Sequence, residues 1–590
     1  MVALKIENFG GMTPAVNDYY LPDNQAALSE NTWVYTGAVE GLPLLTEVYT
    51  CSSNSVRKVF RIPLGFYDKA RIPNSYWMEF NDPDTDIVRS PIANDSFERF
   101  YWASPSHEPR YNTRARILNG DPYFKLGIPA PTVAPSLSVA GGTTPTETRA
   151  YVYAWVSAYG EEGPPSPPST VTTGNANGTW TVTVSAPSGA VTSGRNITHV
   201  NVYRAVTSVT GVATYFFVTQ IPIATTTYAD STVSVSGNNQ LESLYWEPPP
   251  SDLKGLTIMP NGIIAGFRSN EIYFCEPYRP HAWPVAYALS VNYPIIGLGV
   301  MGQTLIVCTA VAPYAISGVN PASMSMSRIA DIEPCMSRGS VVSTPGAVVY
   351  AGPSGLVAVT PGGAQNITRS MITKDKWDDF LPITNLRAAE INDSYYCWGS
   401  QKGVSFQSSA FQNDAFQQPD LTGGYTGAYI DFQNARVSYN KLATDDPALN
   451  VFSDVWSGEV FVLKTGKVYW LDLSGSRERG PYIWRSKIFS MPNRRNLEAM
   501  RVWFNTFSDS PTLSPVRNTN LVQTLQADQW GLIRVYADDT LVMCRELRVD
   551  GEFMRLPSGF KAATYQIEIE ARVRITSIEL SSVAKELMNV

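Results

Sequence analysis

Short apolar runs, broken by turns of Gly, Asn, Asp and Ser, recur along the chain and predict strands rather than helices. The clearest unit is Asn261-Gly262-Ile263-Ile264-Ala265-Gly266-Phe267, then Arg268-Ser269-Asn270, then Glu271-Ile272-Tyr273-Phe274-Cys275. Gly302 to Ser317 follows the plan more loosely, and Gly346 to Val359 repeats it around Gly352-Pro353-Ser354-Gly355. Asn392 to Trp398 and Gly458 to Trp470 echo it. The opening glycines of the first three units lie 40 and 44 residues apart. A period of roughly 40–50 residues with several strands per unit is the spacing of β-propeller blades.

Other segments add to this pattern. Asp23, after Pro22, is placed to cap a short helix through Gln25-Ala26-Ala27-Leu28-Ser29-Glu30. Ser75 to Phe80, the turn Asn81-Asp82-Pro83-Asp84, Ile87-Val88-Arg89 and Phe97 to Trp102 predict one further blade. Pro, Gly, Ser and Thr crowd in from Leu126 to Pro131, and Trp246-Glu247-Pro248-Pro249-Pro250 closes the segment that follows. Within it, Tyr151, Tyr153 and Trp155 alternate with Val152, Ala154 and Val156, Gly160 to Ser169 reads as a stiff loop, and about seven short strands predict an Ig-like or fibronectin type III-like sandwich. Tyr565 to Ile575 alternates strictly, with its odd-numbered members expected in a core. The predicted fold is therefore all-β: a propeller-like core with an inserted sandwich. Its expected parts are an N-terminal segment with a short helix and strands (1–55), the first part of the propeller (56–127), the inserted sandwich (128–250), the rest of the propeller (251–494) and a C-terminal β region (495–590), closing the propeller or forming a small sandwich.

Composition narrows the classes. Charged residues make up only 16% of the 590, against roughly 25% in an average soluble domain. A surface rich in Ser, Thr, Asn and Gln is cheaper to desolvate than a charged one, which suits a particle subunit with several neighbours. A net charge of −7 and no Lys/Arg cluster beyond Arg494-Arg495 argue against a protein built to grip nucleic acid. The six cysteines, at positions 51, 275, 308, 335, 397 and 544, have no CxxC pair and are expected to be reduced core residues. With only His107, His199 and His281 available, structural zinc is not expected. No basic-then-apolar leader and no run of ~20 apolar residues occurs, so neither a cleaved export signal nor a membrane span is expected.

The sequence carries no recognisable catalytic signature. The repeated Ser-x-Asp-x-Gly-x-x-Trp box of sialidase-type propellers is absent, and Ser453-Asp454-Val455-Trp456-Ser457-Gly458 has the wrong order. Glu161-Glu162, Asp378-Asp379 and Asp538-Asp539 read as solvated turn acids rather than a glycosidase pair. His281 lies in a Pro- and aromatic-rich connector and reads as packing. No nucleophile elbow, Walker loop or His-Glu-x-x-His is present. The expectation is no catalytic residue, no cofactor and no metal.

The two ends carry a resemblance. Asn8-Phe9-Gly10-Gly11, Pro14, Leu21 to Ala26, Asn31 and Gly37 to Gly41 resemble the start of tail proteins of short-tailed double-stranded DNA bacteriophages. Met554-Arg555-Leu556-Pro557-Ser558-Gly559-Phe560-Lys561 and Ile578-Glu579-Leu580 are similar to their C-terminal end, and Tyr153 to Pro164 also recurs in phage structural proteins. The family meant is the tail nozzle, or tail tubular protein B, group. It implies a hexameric virion ring at the distal end of the tail, held to adaptor and portal proteins, meeting fibres or spikes, and passing DNA without binding it. Assembly would take place in the bacterial host cytoplasm. The alternative is a host-glycan-recognising receptor-binding protein or a virion glycan hydrolase built on a propeller.

Overall fold

Two-residue alternation with Gly, Asn and Asp at the breaks commits this chain to antiparallel hairpins. The computed structural model describes residues 4–34, 37–65, 72, 75–207, 213–329, 332–391, 394–399, 426–431, 436–441, 448–472, 479–505 and 529–588. Among them the fold is all-β, and the longest helix, Lys374–Phe380, has 7 residues. The chain divides into two compact units, Asp84–Ile329 and Met1–Pro83 with Ala330–Val590.

The unit Asp84–Ile329 contains three four-stranded antiparallel meanders of the propeller-blade kind. They run Asp86–Arg89 to Phe124–Lys125, Lys254–Met259 to Leu289–Ser290, and Ile295–Met301 to Ser325–Arg328. The repeat glycines mark one place in these sheets: Asn261-Gly262 and Gly302 turn the first strand into the second, with φ of +63°, +73° and +57°. Only residues tolerant of the left-handed region make such tight hairpins.

Between the first two meanders lies the sandwich, with eight strands from Ser136–Ala140 to Thr227–Asp230. Tyr151, Tyr153, Trp155, Val182, Val200 and Val202 form its core. The intervening Val152 and Ala154 are buried as well, beneath Leu241 of the returning chain and Tyr203, Tyr215 and Phe217. The expected stiff loop proves to be an edge cover for strand Tyr151–Ser157. Gly163, Ser166 and Ser169 donate their N–H groups to the carbonyls of Trp155, Tyr153 and Tyr151. The prolines between them, at 164, 165, 167 and 168, have no N–H to offer, so the segment blocks further strand addition.

The other unit holds the meander Val342–Ser343 to Gly363–Asn366, the strands Arg387–Ile391, Ser394–Gly399, Thr426–Asp431 and Arg436–Lys441, and a sheet of Asn450–Ser453, Val460–Lys464 and Lys467–Leu471. The fourth strand of that last sheet is Thr46–Thr50, from the far end of the sequence. The strands Arg387–Ile391 to Arg436–Lys441 continue, through Ala26–Glu30, into one face of a two-sheet body. Arg574–Ser581 lies between Leu4–Glu7 and Ala499–Asn505, facing a sheet that includes Tyr482–Ser486, Ala562–Ala571 and Gly531–Ala537. Ile6, Phe9, Trp484, Met500, Ile533, Ile569, Ile578 and Leu580 share its core. Tyr565, Ile567, Ile569, Ala571, Val573 and Ile575 are all at most 1% exposed, as their alternation predicts. The chain passes from one sheet to the other at Arg572–Val573, so a single alternating run fills both.

Three expectations are corrected. The helix through Gln25–Glu30 is instead the strand Ala26–Glu30, paired with Tyr482–Ser486. A six-residue helix carries the full nucleation penalty, whereas the strand buries Ala26 and Ser29 and completes a sheet. The blade read from Ser75 to Trp102 is divided: Ser75–Phe80 pairs back with Lys58–Pro63, and Asp86–Arg89 pairs forward with Arg99–Ser104. Turn residues at 81–84 mark a break there, not a hairpin. Of the cysteines, all free, Cys275, Cys308, Cys335 and Cys397 are buried, but Cys544 is exposed on the open strand Thr540–Glu546.

Candidate functional site

Glu161 and Glu162 overturn the solvated-turn reading. Strand Tyr151–Ser157 ends in a turn in which the Ser157 hydroxyl accepts from the N–H groups of Tyr159 and Glu161. Gly160, at φ +76°, lets the chain double back. Both carboxylates are thereby carried into the unit. Glu161 is 4% exposed and accepts from Arg99 Nη1 at 2.7 Å, while Arg99 Nε holds Asp95 at 2.8 Å. Glu162 takes Tyr203 Oη at 2.7 Å, together with Asn201 Nδ2 and Ser243 Oγ.

Burial dominates the electrostatics. It raises the Glu161 carboxyl above its ordinary range, with Arg99 pulling the other way. Burial works to raise Asp95 too, but hydrogen bonds from Arg99 and Ser90 outweigh it and hold the carboxyl low. For Arg99 the burial penalty is outweighed by the Asp95 and Glu161 carboxylates, so the guanidinium is held more firmly charged. Burial and then the Glu161 charge keep the Tyr101 and Tyr111 hydroxyls protonated. Each glutamate carboxylate already accepts from two or more donors. The cluster is suited to holding the sandwich on its flanking strands, not to trading protons with a substrate.

His281 belongs to the same joint, and packing was the expected role. It is 5% exposed, edge-on to Trp246 at 5.8 Å, with its ring N–H on the Glu162 backbone. Burial, then Arg279 and Arg99, push its pKa from 6.5 down to about 3. An unfolded histidine takes a proton below 6.5 that the folded one refuses until about 3. Its contribution is therefore complete above pH 6.5 and lost as pH falls, by roughly 1.4 kcal/mol per pH unit across the window. His281→Gln is expected to flatten the acid limb of a stability–pH curve measured by urea unfolding between pH 7 and pH 4. An unchanged slope would remove His281 from this role.

The neck of the sandwich is equally tight. Gly127 has φ +80°, and a Cβ there would lie 2.6 Å from Pro248 Cα and 2.9 Å from Pro249 Cδ. The two Pro-rich boundaries thus run in contact. Arg195 Nη1 donates to the carbonyls of Leu126, at 2.8 Å, and Gly127. Gly127→Ala is expected to lower the melting temperature of the purified protein by several degrees, since backbone and proline rings cannot yield.

Beside this joint a second feature escaped sequence reasoning. Glu276-Pro277-Tyr278-Arg279 is a tight turn closed by Arg279 N–H on Glu276 O at 2.9 Å. Tyr278 stands at its third position with φ +59°, where glycine is the usual residue. Its ring packs on Gly262, yet the residue is 54% exposed. Arg279 stacks on the Trp246 ring at 4.3 Å and donates to Glu242 at 2.9 Å.

The remaining candidates fall apart from one another. Asp538 and Asp539 are exposed in a hairpin turn, and Asp538 accepts from the Ala563 and Thr564 N–H groups. The side chains of Asp378 and Asp379 lie outside the described residues. Asp454 is buried against Arg61 and caps its own turn through Ser457, while Trp456 Nε1 donates to Arg61 O at 3.0 Å. That segment is a structural corner. His107 meets Ser104 and Ser106, His199 meets Thr198, and the Arg494 side chain is 70% exposed beside Asp538. Among the described residues, no three His, Cys, Asp or Glu side chains are grouped to hold a metal, and no helix is long and apolar enough to cross a membrane.

No family model and no curated protein matches the chain. Solved structures to which it is similar include BBS1N in complex with ARL6DN, at 9% identity over 73% of this chain and 98% of that one, with a TM-score of 0.27. Hsv2 of Kluyvelomyces marxianus matches at 10% identity over 52% and 90%, TM-score 0.23, and the N-terminal domain of Nup159 at 10% over 40% and 79%, TM-score 0.20. Likenesses this slight carry no argument about what the chain does.

Proposed function

We propose that the protein is a structural subunit of a short phage tail, forming a hexameric ring at its distal end, bound to adaptor and portal proteins and enclosing the path of DNA ejection. The observation that favours this reading is where the two resembling termini lie. Phe9 packs edge-on against Trp484 at 4.9 Å, Trp484 Nε1 donates to Gly10 O, and Met554 and Leu556 enter the same core. Motifs from opposite ends of the sequence thus serve one body. A buried, ion-paired joint and a clamped neck suit a part that bears load. An acidic chain without basic clusters suits a wall that lets a polyanion pass. Fibres or spikes would meet the loops and the sandwich.

Electron microscopy of virions carrying a tagged copy tests this. The expected image is a ring of six labels at the free end of the tail, and absence of the protein from purified virions would refute the proposal.

A further inference from the structure

The sandwich is tied to its neighbours on two sides, and the two ties are unlike. Toward the first meander, Arg99 joins Asp95 and Glu161 through side chains that are all at most 7% exposed. Tyr101 and Tyr111 of that meander belong to the core beside them. Toward the second meander, the exit segment Glu242–Glu247 meets the turn Glu276–Trp283. Here Arg279 holds Glu242 through side chains 43% and 68% exposed, and stacks on Trp246 at 4.3 Å. Trp283 N–H on Glu247 O and the His281 ring on the Glu162 backbone complete this tie. It also carries a burden that the other tie's carboxylates do not. Glu247 Oε2 and His281 Nε2 are buried and meet no hydrogen-bond partner among the described residues.

We infer that the sandwich is latched, not fused, to the second meander: this side opens and recloses while the first-meander side stays shut. An exposed ion pair and an exposed cation–ring stack each hold weakly, because water competes for both. Buried acceptors without donors oppose closure, and opening restores them to water. The two contributions nearly offset, which is the condition for a local transition below the global one. The result is a hinge: Arg99 and the clamped neck keep the sandwich in place while its angle to the second meander changes. The inference concerns one copy of the chain and stands whether or not a ring forms.

Native-state hydrogen exchange on the full-length protein, read by mass spectrometry, tests it with two variants expected to act in opposite directions. Arg279→Gln removes the ion pair and should speed exchange about fivefold in peptides spanning Glu242–Glu247 and Arg279–Tyr287. Peptides spanning Arg99–Thr113 should keep their wild-type rates. Glu247→Met removes one buried acceptor at similar volume and should slow the same latch peptides by about threefold. A merely structural contact would be loosened by both changes. Faster latch exchange in Glu247→Met therefore overturns the inference. So does an Arg279→Gln variant in which the latch and Arg99–Thr113 peptides speed up together, or in which neither changes.

Discussion

Replacing Arg99 by methionine is expected to destabilise the unit Asp84–Ile329 by about 3–5 kcal/mol, read as a shift of its denaturant midpoint. Arg99 and Glu161 side chains are 7% and 5% exposed, so removing the cation strands a carboxylate away from water. Asp95 keeps the N–H groups of Phe97 and Arg99 and is less affected. Replacing Glu161 by methionine as well should restore most of the loss. A buried pair often contributes little beyond an apolar substitute of similar size, whereas half a pair is costly. The double variant separates a lost ion pair from lost packing. If Arg99→Met shifts the midpoint by the equivalent of less than about 1 kcal/mol, the joint is not as closed as described.

Gly41→Ala is expected to be at least as damaging, by about 3 kcal/mol or more, through overpacking that no side chain can relieve. A Cβ at Gly41 would sit 1.9 Å from the Gly480 carbonyl oxygen. The two segments cannot move apart freely, because Gly480 N–H is bonded to Leu42 O at 2.8 Å and Pro43 bridges Arg479. Gly346→Ala supplies the control, with nothing within 4 Å of the added carbon. It should change stability by no more than about 0.5 kcal/mol. Thermal melts of the two proteins side by side suffice, and equal melting temperatures would contradict the close approach at Gly41.

What the sequence announced was local. Gly262 and Gly302 mark hairpins because a tight turn needs a left-handed residue, and that need is visible in one strand pair. The odd-numbered run from Tyr565 to Ile575 announced a core face for the same reason. Partners distant in sequence were not legible. Nothing near Thr46–Thr50 shows that it completes a sheet with Lys467–Leu471, and nothing near Ala26–Glu30 shows the strand Tyr482–Ser486 beside it. Glu161-Glu162 misled because Gly160 and Gly163 read as a surface turn, while the counter-ion Arg99 is 62 residues away. A glutamate pair four residues beyond a mostly apolar strand was the available hint. The Pro277-Tyr278 step was a second, since proline at that turn position calls for glycine next and tyrosine is a poor answer.

The strand Arg574–Ser581, seated between Leu4–Glu7 and Ala499–Asn505, sets a timetable for biosynthesis. The first strand leaves the ribosome some 570 residues before the neighbour it must meet. At roughly 5–20 residues per second that wait is on the order of half a minute to two minutes. Throughout it Ile6 and Phe9 lack their final cover, so a prematurely terminated polypeptide would display a sticky apolar face that chaperones and proteases recognise. Only a copy translated past Ser581 could hide it, which would make this seam a built-in check on truncated copies.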